Sequence, residues 1–281
     1  MLPYLWMLIA CFFFTVMGAL AHKAGEWCDW QTVAMSRCLL VVVFVGIYAR
    51  LSGAPLVFWR PRVLWMRSIA GSLSLVASFY ALTRMPISTV LTLTNMFPLW
   101  VALLSWPMLR VWPAPRVWFA LVLGILGVWL IQQPQAGGPP LALFVAIFAS
   151  LATSVAMLGL HRLHDLDPRA VVVHFAMVAT IFCIAAFLVL PLDPGPLPFW
   201  HWKPLLFLTG IGITASVGQV FLTKAFTGGD PAKVSVVGLS QVVFAVIFDR
   251  LMGHEFDELS LVGMALILTP TAWIMRRQRG R

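Results

Sequence analysis

Charged residues are scarce in this sequence. Asp, Glu, Lys and Arg make up 10% of the 281 residues, whereas 61% are hydrophobic. Soluble domains carry roughly 25% charged residues, so this chain cannot cover a water-facing surface of its own. The composition therefore excludes an ordinary soluble globular protein and predicts that the lipid bilayer is the main solvent.

Acidic residues are the scarcer of the two signs, with 10 against 19 Lys and Arg. All of them fall in predicted loops or at the ends of apolar segments, so no carboxylate is expected at mid-membrane depth. Proton-coupled carriers usually place an acid or a histidine along the transport path. The absence of a mid-membrane carboxylate favours facilitated transport or exchange over carboxylate-driven antiport. It also excludes an intramembrane aspartyl enzyme, which needs two such acids.

Motifs for catalysis and metal binding are also missing. The chain has 4 cysteines, without a Cys-x-x-Cys pair, and it lacks a P-loop, a Gly-x-Ser-x-Gly and a His-Glu-x-x-His motif. The segment HRLHDLD at 161–167 has ligand-like spacing, but a solvated polar turn is the favoured interpretation. We therefore expect no enzymatic activity, no metal site and no cofactor.

Long apolar runs are what the sequence has in abundance. A helix needs about 20 mostly apolar residues to cross the hydrocarbon. These runs are continuous and do not alternate, so they predict helices and not barrel strands. Proline, glycine and charged clusters separate ten predicted spans, near residues 3–22, 30–49, 64–84, 87–109, 116–133, 140–160, 169–190, 204–227, 231–250 and 259–275.

Basic residues are distributed unevenly between the two sets of connections. With a cytoplasmic N-terminus, 14 Lys and Arg lie on the cytoplasmic side, Arg67 near the start of span three among them, and 4 lie outside. The positive-inside rule then predicts that both termini are cytoplasmic. The same rule explains the net charge of +9, so no nucleic-acid partner is expected. We expect a multi-pass protein of the bacterial inner membrane.

The ten spans divide into two halves of five, residues 1–135 and 136–281, joined by QQPQAGGPP. An odd number of spans in each half forces the second copy into the membrane upside down. The segment RSIAGSLSLVASFYALTRMPISTVLTLTNMFPLWVALL, which begins at Arg67, resembles spans three and four of the EamA family in the drug/metabolite transporter superfamily. MSRCLL around Arg37 and GHEFDELSLVGMALIL from Gly253 strengthen the resemblance.

The resemblance implies an all-α integral membrane fold, with ten transmembrane helices in two inverted five-helix repeats around a central cavity. Spans 1, 3, 4, 6, 8 and 9 would border the cavity, and spans 5 and 10 would be peripheral. YddG-like exporters are among the family's members. One departure is that Val242 stands where the second half is expected to carry a counterpart of Pro98.

The implied function is secondary transport, by alternating access, of a small organic metabolite such as an amino acid or a similar amphipathic compound. Export is the expected direction, and a monomer or a homodimer is the expected state. A membrane sensor or assembly partner that transports nothing is the alternative.

Span four carries a polar stripe, since Ser88, Thr92 and Asn95 are three or four residues apart and share one helix face. An unpaired amide is costly in hydrocarbon, so Asn95 should face a cavity or another helix. Pro98 removes a backbone hydrogen bond and predicts a weak point in the helix. Cavity lining and hydrogen bonding between helices both remain open for this stripe.

The second half carries polar counterparts. Gln219 and Thr223 belong to a stripe on span eight, and Ser240 and Gln241 lie near mid-depth of span nine. Neutral amides at this depth suit a polar or zwitterionic head group, although hydrogen bonds between helices are again the alternative.

Four further residues are candidates for the cavity. Tyr80 and Trp100 would supply apolar walls, unless they pack in the core or face lipid. Arg37 would bind a substrate carboxylate, unless it extends to the interface or holds carbonyls of a neighbouring span. His174 would titrate, although a packing histidine is the favoured interpretation.

Overall fold

A computed structural model describes residues 1–82, 84–134, 139–189, 201–251 and 258–276, and within these ranges all regular structure is helical. The helices are α1 (Leu2–Ala24), α2 (Trp30–Leu51), α3 (Arg62–Leu82), α4 (Ile87–Thr94), α5 (Phe97–Leu109), α6 (Pro115–Gln132), α7 (Pro140–His161), α8 (Pro168–Val189), α9 (Trp202–Gly228), α10 (Pro231–Gly238), α11 (Ser240–Leu251) and α12 (Glu258–Arg276). The pairs α4–α5 and α10–α11 each form one span. By length and composition ten spans can therefore cross a membrane, which confirms the predicted number. The predicted boundary at 135/136, the segment 253–257 and the basic tail lie outside the described residues.

Helix ends account for several of the acids. The Asp29 side chain accepts a hydrogen bond from the Thr32 amide at the start of α2. Asp230 accepts bonds from the amides of Ala232 and Lys233 at the start of α10. A carboxylate at an N-terminus satisfies orphan N–H groups and complements the helix dipole, so these acids serve the ends of helices.

The weak point predicted in span four is a break between α4 and α5. The side-chain amide nitrogen of Asn95, Nδ2, donates to the Leu91 carbonyl oxygen over 2.8 Å, which closes the end of α4. Pro98 lies in the first turn of α5, where its missing N–H leaves no bond unmade. Proline thus marks the start of the second segment, and Asn95 ends the first.

Span nine is broken as well, between Gly238 and Ser240, and the sequence did not predict this break. No proline lies at this break, and α1 contacts it from the side. The Cys11 thiol donates to the Gly238 carbonyl over 3.4 Å, and the Thr15 hydroxyl is shared between the Cys11 carbonyl of its own helix, at 3.0 Å, and the Gln241 carbonyl, at 3.3 Å. A Cβ at residue 238 would lie 2.8 Å from Met7 Cε, so the end of the Met7 side chain would have to move.

Helix packing joins the two parts of the chain throughout. The most extensive contacts are α1 with α9, α3 with α7, α6 with α12 and α2 with α8. The α6–α12 pair lies at the edge of the bundle and is held by close backbone approach. A Cβ on Gly127 would lie 2.6 Å from the Gly263 carbonyl oxygen, and the reverse distance is 2.7 Å. Small residues permit such close crossings in membranes.

Candidate functional site

A small cavity lies among α2, α8 and α9. Its volume is about 10 Å³, which is at the lower limit for one water molecule. The lining residues, which define the α2–α8–α9 cavity, are Arg37, Cys38, Val41, Phe175, Ala176, Ala215 and Gln219. The structure therefore represents a closed conformation at this point.

Two of the residues that line this cavity each have a buried polar donor without an acceptor. The Nε atom of Arg37 and the Nε2 atom of Gln219 are both buried without a hydrogen-bond partner. A buried donor left unsatisfied costs about 1–3 kcal/mol, and more for a charged group. The structure thus brings together two residues that the sequence singled out, one from each half of the chain.

Arg67 is the principal residue that sequence reasoning misplaced. It was counted with the cytoplasmic connections, yet its side chain is only 1% exposed and lies within α3. The guanidinium carbon lies 4.1 Å from the ring centroid of Phe175. A Cβ on Gly71 would lie 2.3 Å from the Arg67 Nη1 atom, so the missing side chain makes room for the guanidinium. A glycine four residues after an arginine was the available signal.

The Arg67 correction leaves the charge bias in place, at 13 basic residues against 4. It does change the chemistry of the interior. The Nε atom of Arg67 is buried without a hydrogen-bond partner, as is that of Arg37. None of the ion pairs among the described residues includes either arginine. Arg67 is therefore a buried cation and Arg37 a half-buried one, and neither is paired with an acid among the described residues.

His174 is buried and both of its ring nitrogens are satisfied. Nε2 lies 3.1 Å from the Phe58 carbonyl oxygen, and Nδ1 lies 2.8 Å from the Ser68 hydroxyl. A carbonyl only accepts, so Nε2 carries the proton and Nδ1 accepts from Ser68. The Trp65 ring meets the imidazole edge-on at 4.8 Å between centroids. This arrangement ties α8 to the start of α3 and agrees with the packing interpretation.

The polar residues of span four bond within their own helix. The Thr92 hydroxyl donates to the Ser88 carbonyl over 2.8 Å, as Asn95 does to Leu91. Asn95 and Ser88 are partly exposed, whereas Thr92 is buried. None of these three lines the α2–α8–α9 cavity.

The predicted aromatic walls make separate contacts. Trp100 donates from Nε1 to the Ser150 hydroxyl over 3.0 Å and so joins α5 to α7. The Tyr80 hydroxyl accepts from Arg84 over 2.8 Å, and the Arg84 guanidinium also stacks at 4.3 Å from the Tyr80 ring. Neither aromatic lines the cavity in this conformation.

The remaining candidates are Thr223, one helical turn after Gln219 in α9, and Ser240 and Gln241, which follow the break in span nine. Thr223 is buried and donates to the Gln219 carbonyl over 2.8 Å. The Ser240 hydroxyl is buried without a partner. Gln241 is half-buried, and its carbonyl accepts from Thr15.

The acidic loop before α8 forms an ion pair. Asp167 bonds both to the Arg169 guanidinium, at 2.7 and 2.9 Å, and to the Arg169 amide at 2.8 Å. The hydrogen bond from the Arg169 side chain holds the pKa of Asp167 below its ordinary value. Among the described residues there is no group of three or more metal-ligating side chains.

Comparison with known proteins gives a consistent result. The EamA-like transporter family matches residues 1–133 and 138–276. The pseudopaline exporter CntI of Pseudomonas aeruginosa is 28% identical over 278 residues, with 97% of this chain and 95% of the exporter covered. An S-adenosylmethionine uptake transporter of Rickettsia conorii is 26% identical over 217 residues, with 75% and 70% covered. A solved crystal structure superposes with a TM-score of 0.83 at 17% identity and covers 99% of both chains, which shows the fold.

Proposed function

Because the chain belongs to the EamA-like transporter family, we propose that it is a secondary transporter that carries a small organic metabolite by alternating access. The observation that carries this proposal is the pair Arg37 and Gln219, which both line the α2–α8–α9 cavity and each have a buried donor without an acceptor. In a conformation with a wider cavity, a polar substrate would supply the missing acceptors. An amino acid or a similar amphipathic compound has suitable groups.

Members of this family are transporters, which confirms the prediction that the chain is not an enzyme. The family also confirms the resemblance inferred from the segment that begins at Arg67. Transport implies a small-molecule substrate and a position in the membrane. The ten candidate spans make this a multi-pass protein.

The two halves, residues 1–135 and 136–281, are proposed to be inverted repeats. Helix order supports this, because each half has three long helices, a broken span and a final helix. Contacts support it too. If α1 corresponds to α7 and α3 to α9, then the α1–α9 contact has its counterpart in α7–α3, and the α5–α7 contact has its counterpart in α11–α1. Two copies related by a pseudo-two-fold axis would pack in this way.

Alternating access requires a second conformation, because the cavity here is too small for any metabolite. The breaks in spans four and nine are the proposed bending points. They meet in the bundle, since a Cβ on Gly238 would lie 3.6 Å from Phe97 Cζ, at the start of α5. Discontinuous helices at such a junction let the backbone change direction without losing a full set of hydrogen bonds.

Outward transport is the proposed direction. The relative whose match covers 97% of this chain is named an exporter, whereas the uptake transporter matches 75%. Both termini are proposed to be cytoplasmic, from the bias of basic residues. Coupling to protons through a carboxylate is not part of the proposal, because the described acids all lie in loops or at helix ends.

Reconstituted vesicles loaded with a mixed metabolite pool provide the test. Mass spectrometry should detect protein-dependent loss of specific solutes, and flux should persist after a protonophore collapses the pH gradient. Uphill movement driven by a pH gradient alone would overturn the coupling proposal. Failure to move any solute would favour a membrane sensor or assembly partner.

A further inference from the structure

We infer that the ligand of this protein is a small organic anion with at least two negative charges, bound between Arg37 and Arg67 and covered by Phe175. This inference rests on the proposed transport function and narrows the proposed substrate to metabolites with two acidic groups, which excludes a simple zwitterionic amino acid. Arg67 is buried and Arg37 is half-buried, and neither forms an ion pair with a described acid.

The depth of the two arginines makes the lack of an acid significant. Arg37 is the eighth residue of α2 and Arg67 is the sixth residue of α3. At 1.5 Å per residue, the Arg37 Cα atom lies about 10 Å from the start of α2 and the Arg67 Cα atom about 8 Å from the start of α3. Because α2 and α3 are consecutive spans, these two helix starts lie on opposite sides of the membrane, and the two arginines enter the bundle from opposite faces. Charges at such depth are rare unless they are paired or line a path for a ligand. Both Nε atoms are buried and unpartnered, and no described acid forms an ion pair with either arginine.

Phe175 connects the two cations. Its side chain lines the α2–α8–α9 cavity together with Arg37, and its ring stacks on the Arg67 guanidinium at 4.1 Å. A cation over an aromatic face is partly compensated, which explains how Arg67 tolerates the closed conformation. Phe175 is therefore the side chain that contacts both the cavity and the Arg67 guanidinium, and its displacement is the movement that the inference requires.

The space around Arg67 is kept open by glycines. A Cβ on Gly71 would meet both the Arg67 guanidinium, at 2.3 Å, and the Phe175 ring, at 2.8 Å. A Cβ on Gly159 of α7 would lie 3.2 Å from Arg67 Cβ. These glycines let the guanidinium lie flat along α3 beside the ring. The guanidinium is therefore held beside the cavity and does not extend to the membrane surface.

The chemistry of the donors specifies the ligand. Guanidinium groups bind carboxylates through two parallel hydrogen bonds, and such pairs are stronger than neutral hydrogen bonds. Two guanidinium groups fit two carboxylates. The free amide nitrogen of Gln219 adds a donor for a neutral oxygen or for one of the carboxylates. A cationic ligand would be repelled by both arginines.

Ligand-dependent thermal stability of the full chain in detergent tests this inference. The probes are acetate, glutarate and citrate at equal ionic strength, with glutaramide as the neutral analogue of glutarate and 1,5-diaminopentane as the cation. We expect glutarate or citrate to raise the melting temperature and the other three to leave it unchanged. Equal shifts with glutarate and glutaramide, or no shift with any of the carboxylates, would overturn the anion site.

Variants then locate the binding. Arg37→Met and Arg67→Met should each weaken the dianion by about tenfold or more, and Arg37→Lys should weaken it less, because the charge remains but the paired hydrogen bonds do not. Arg50→Met is the matched control, since Arg50 is an exposed arginine near the other end of α2. Unchanged binding in Arg37→Met and Arg37→Lys would overturn the site even if Arg67→Met did not fold.

The melting temperature of Arg67→Met without ligand shows whether Arg67 serves ligand binding or packing. A buried charge that waits for a ligand destabilises the empty protein, so Arg67→Met should melt at the same temperature or higher. A lower melting temperature without ligand, together with unchanged dianion binding, would assign Arg67 to packing. Vesicles that move only neutral or cationic solutes would remove the anion site and leave the transport proposal intact. Arginine-dependent binding of the dianion without flux of any solute would support the anion site and overturn the transport proposal.

Discussion

Spans four and nine have the same construction and different surroundings. Each begins with an eight-residue helix, α4 or α10, and continues after a break in α5 or α11. In the most hydrophobic stretch of span nine, 61% of the residues are buried, against 33% in span four. Seven of the eight residues of α10 are buried, whereas Leu91 of α4 is exposed.

The two breaks are stabilised by different means. Span four closes its own end through Asn95 and restarts at a proline. Span nine depends on α1, whose Cys11 and Thr15 side chains reach the Gly238 and Gln241 carbonyls. Two segments at equivalent places in the chain order are therefore stabilised differently: the end of α4 is closed by a bond within its own helix, whereas the end of α10 is bonded by a side chain of α1.

The largest effect is expected at Gly238. In Gly238→Leu the new side chain would enter the space between Met7 Cε and Phe97 Cζ, which lie 2.8 and 3.6 Å from a Cβ at this position. Overpacking of this kind costs about 1–3 kcal/mol. A lowered melting temperature in detergent measures it. Gly46→Leu is the control, since nothing lies within 4 Å of a Cβ there. Equal melting temperatures for both variants would contradict the close contact between the two breaks.

Gln219→Leu should reduce flux per folded molecule by about tenfold, which corresponds to about 1.4 kcal/mol for one lost hydrogen bond to a charged group. Its stability should be unchanged or higher, because Nε2 has no partner to lose. Flux and melting temperature are measured on the same preparation. Thr214→Val, on the same helix with its hydroxyl bonded to the Gly210 carbonyl, is the control. Full flux in Gln219→Leu would remove this residue from the binding site.

Asn95→Leu tests whether the polar stripe of span four contributes to stability, in contrast to Gln219 of span eight, which is expected to contribute to binding. Because Asn95 bonds to Leu91 in its own helix, we expect a loss of stability of about 0.5–1.5 kcal/mol and flux within about twofold of wild type. A thermal melt and a flux assay distinguish the two effects. Strongly reduced flux with an unchanged melting temperature would instead support Asn95 as a cavity residue.

The smallest expected effect is at Asp167, which begins α8 as Asp29 begins α2. Arg169 lowers the pKa of Asp167, so the folded-state pKa lies below the ordinary value of about 4. The ion pair therefore stabilises the fold above that pH, and the contribution is lost as pH falls through the lower folded-state pKa. The melting temperature of wild type should decline more below pH 4 than that of Asp167→Asn. Asp29→Asn serves for comparison, since Asp29 bonds to the Thr32 hydroxyl and not to a cation among the described residues. Identical pH profiles of the melting temperature for Asp167→Asn and wild type would contradict the expectation.

Sequence patterns predicted the helices well and the interior less well. Bounds of the spans were close because hydrophobic length and Pro or Gly boundaries are local properties. The break in span four was signalled by Pro98. The break in span nine was not signalled, because the side chain that bonds to the Gly238 carbonyl is Cys11, more than 200 residues away in the chain. Polar spacing alone identified Gln219 and Asn95 equally, although their surroundings differ.

By itself the sequence determined the solvent of this protein, the number of its spans and its family, because each follows from composition, run length or a contiguous motif. Only the tertiary structure decided which polar groups lie together. Gly71, four residues after Arg67, was a weak local signal, but the stacking of Arg67 on Phe175 of another helix was visible only in the tertiary structure. Whether a buried charge has a partner depends on contacts between helices far apart in the chain, and no local pattern encodes those contacts.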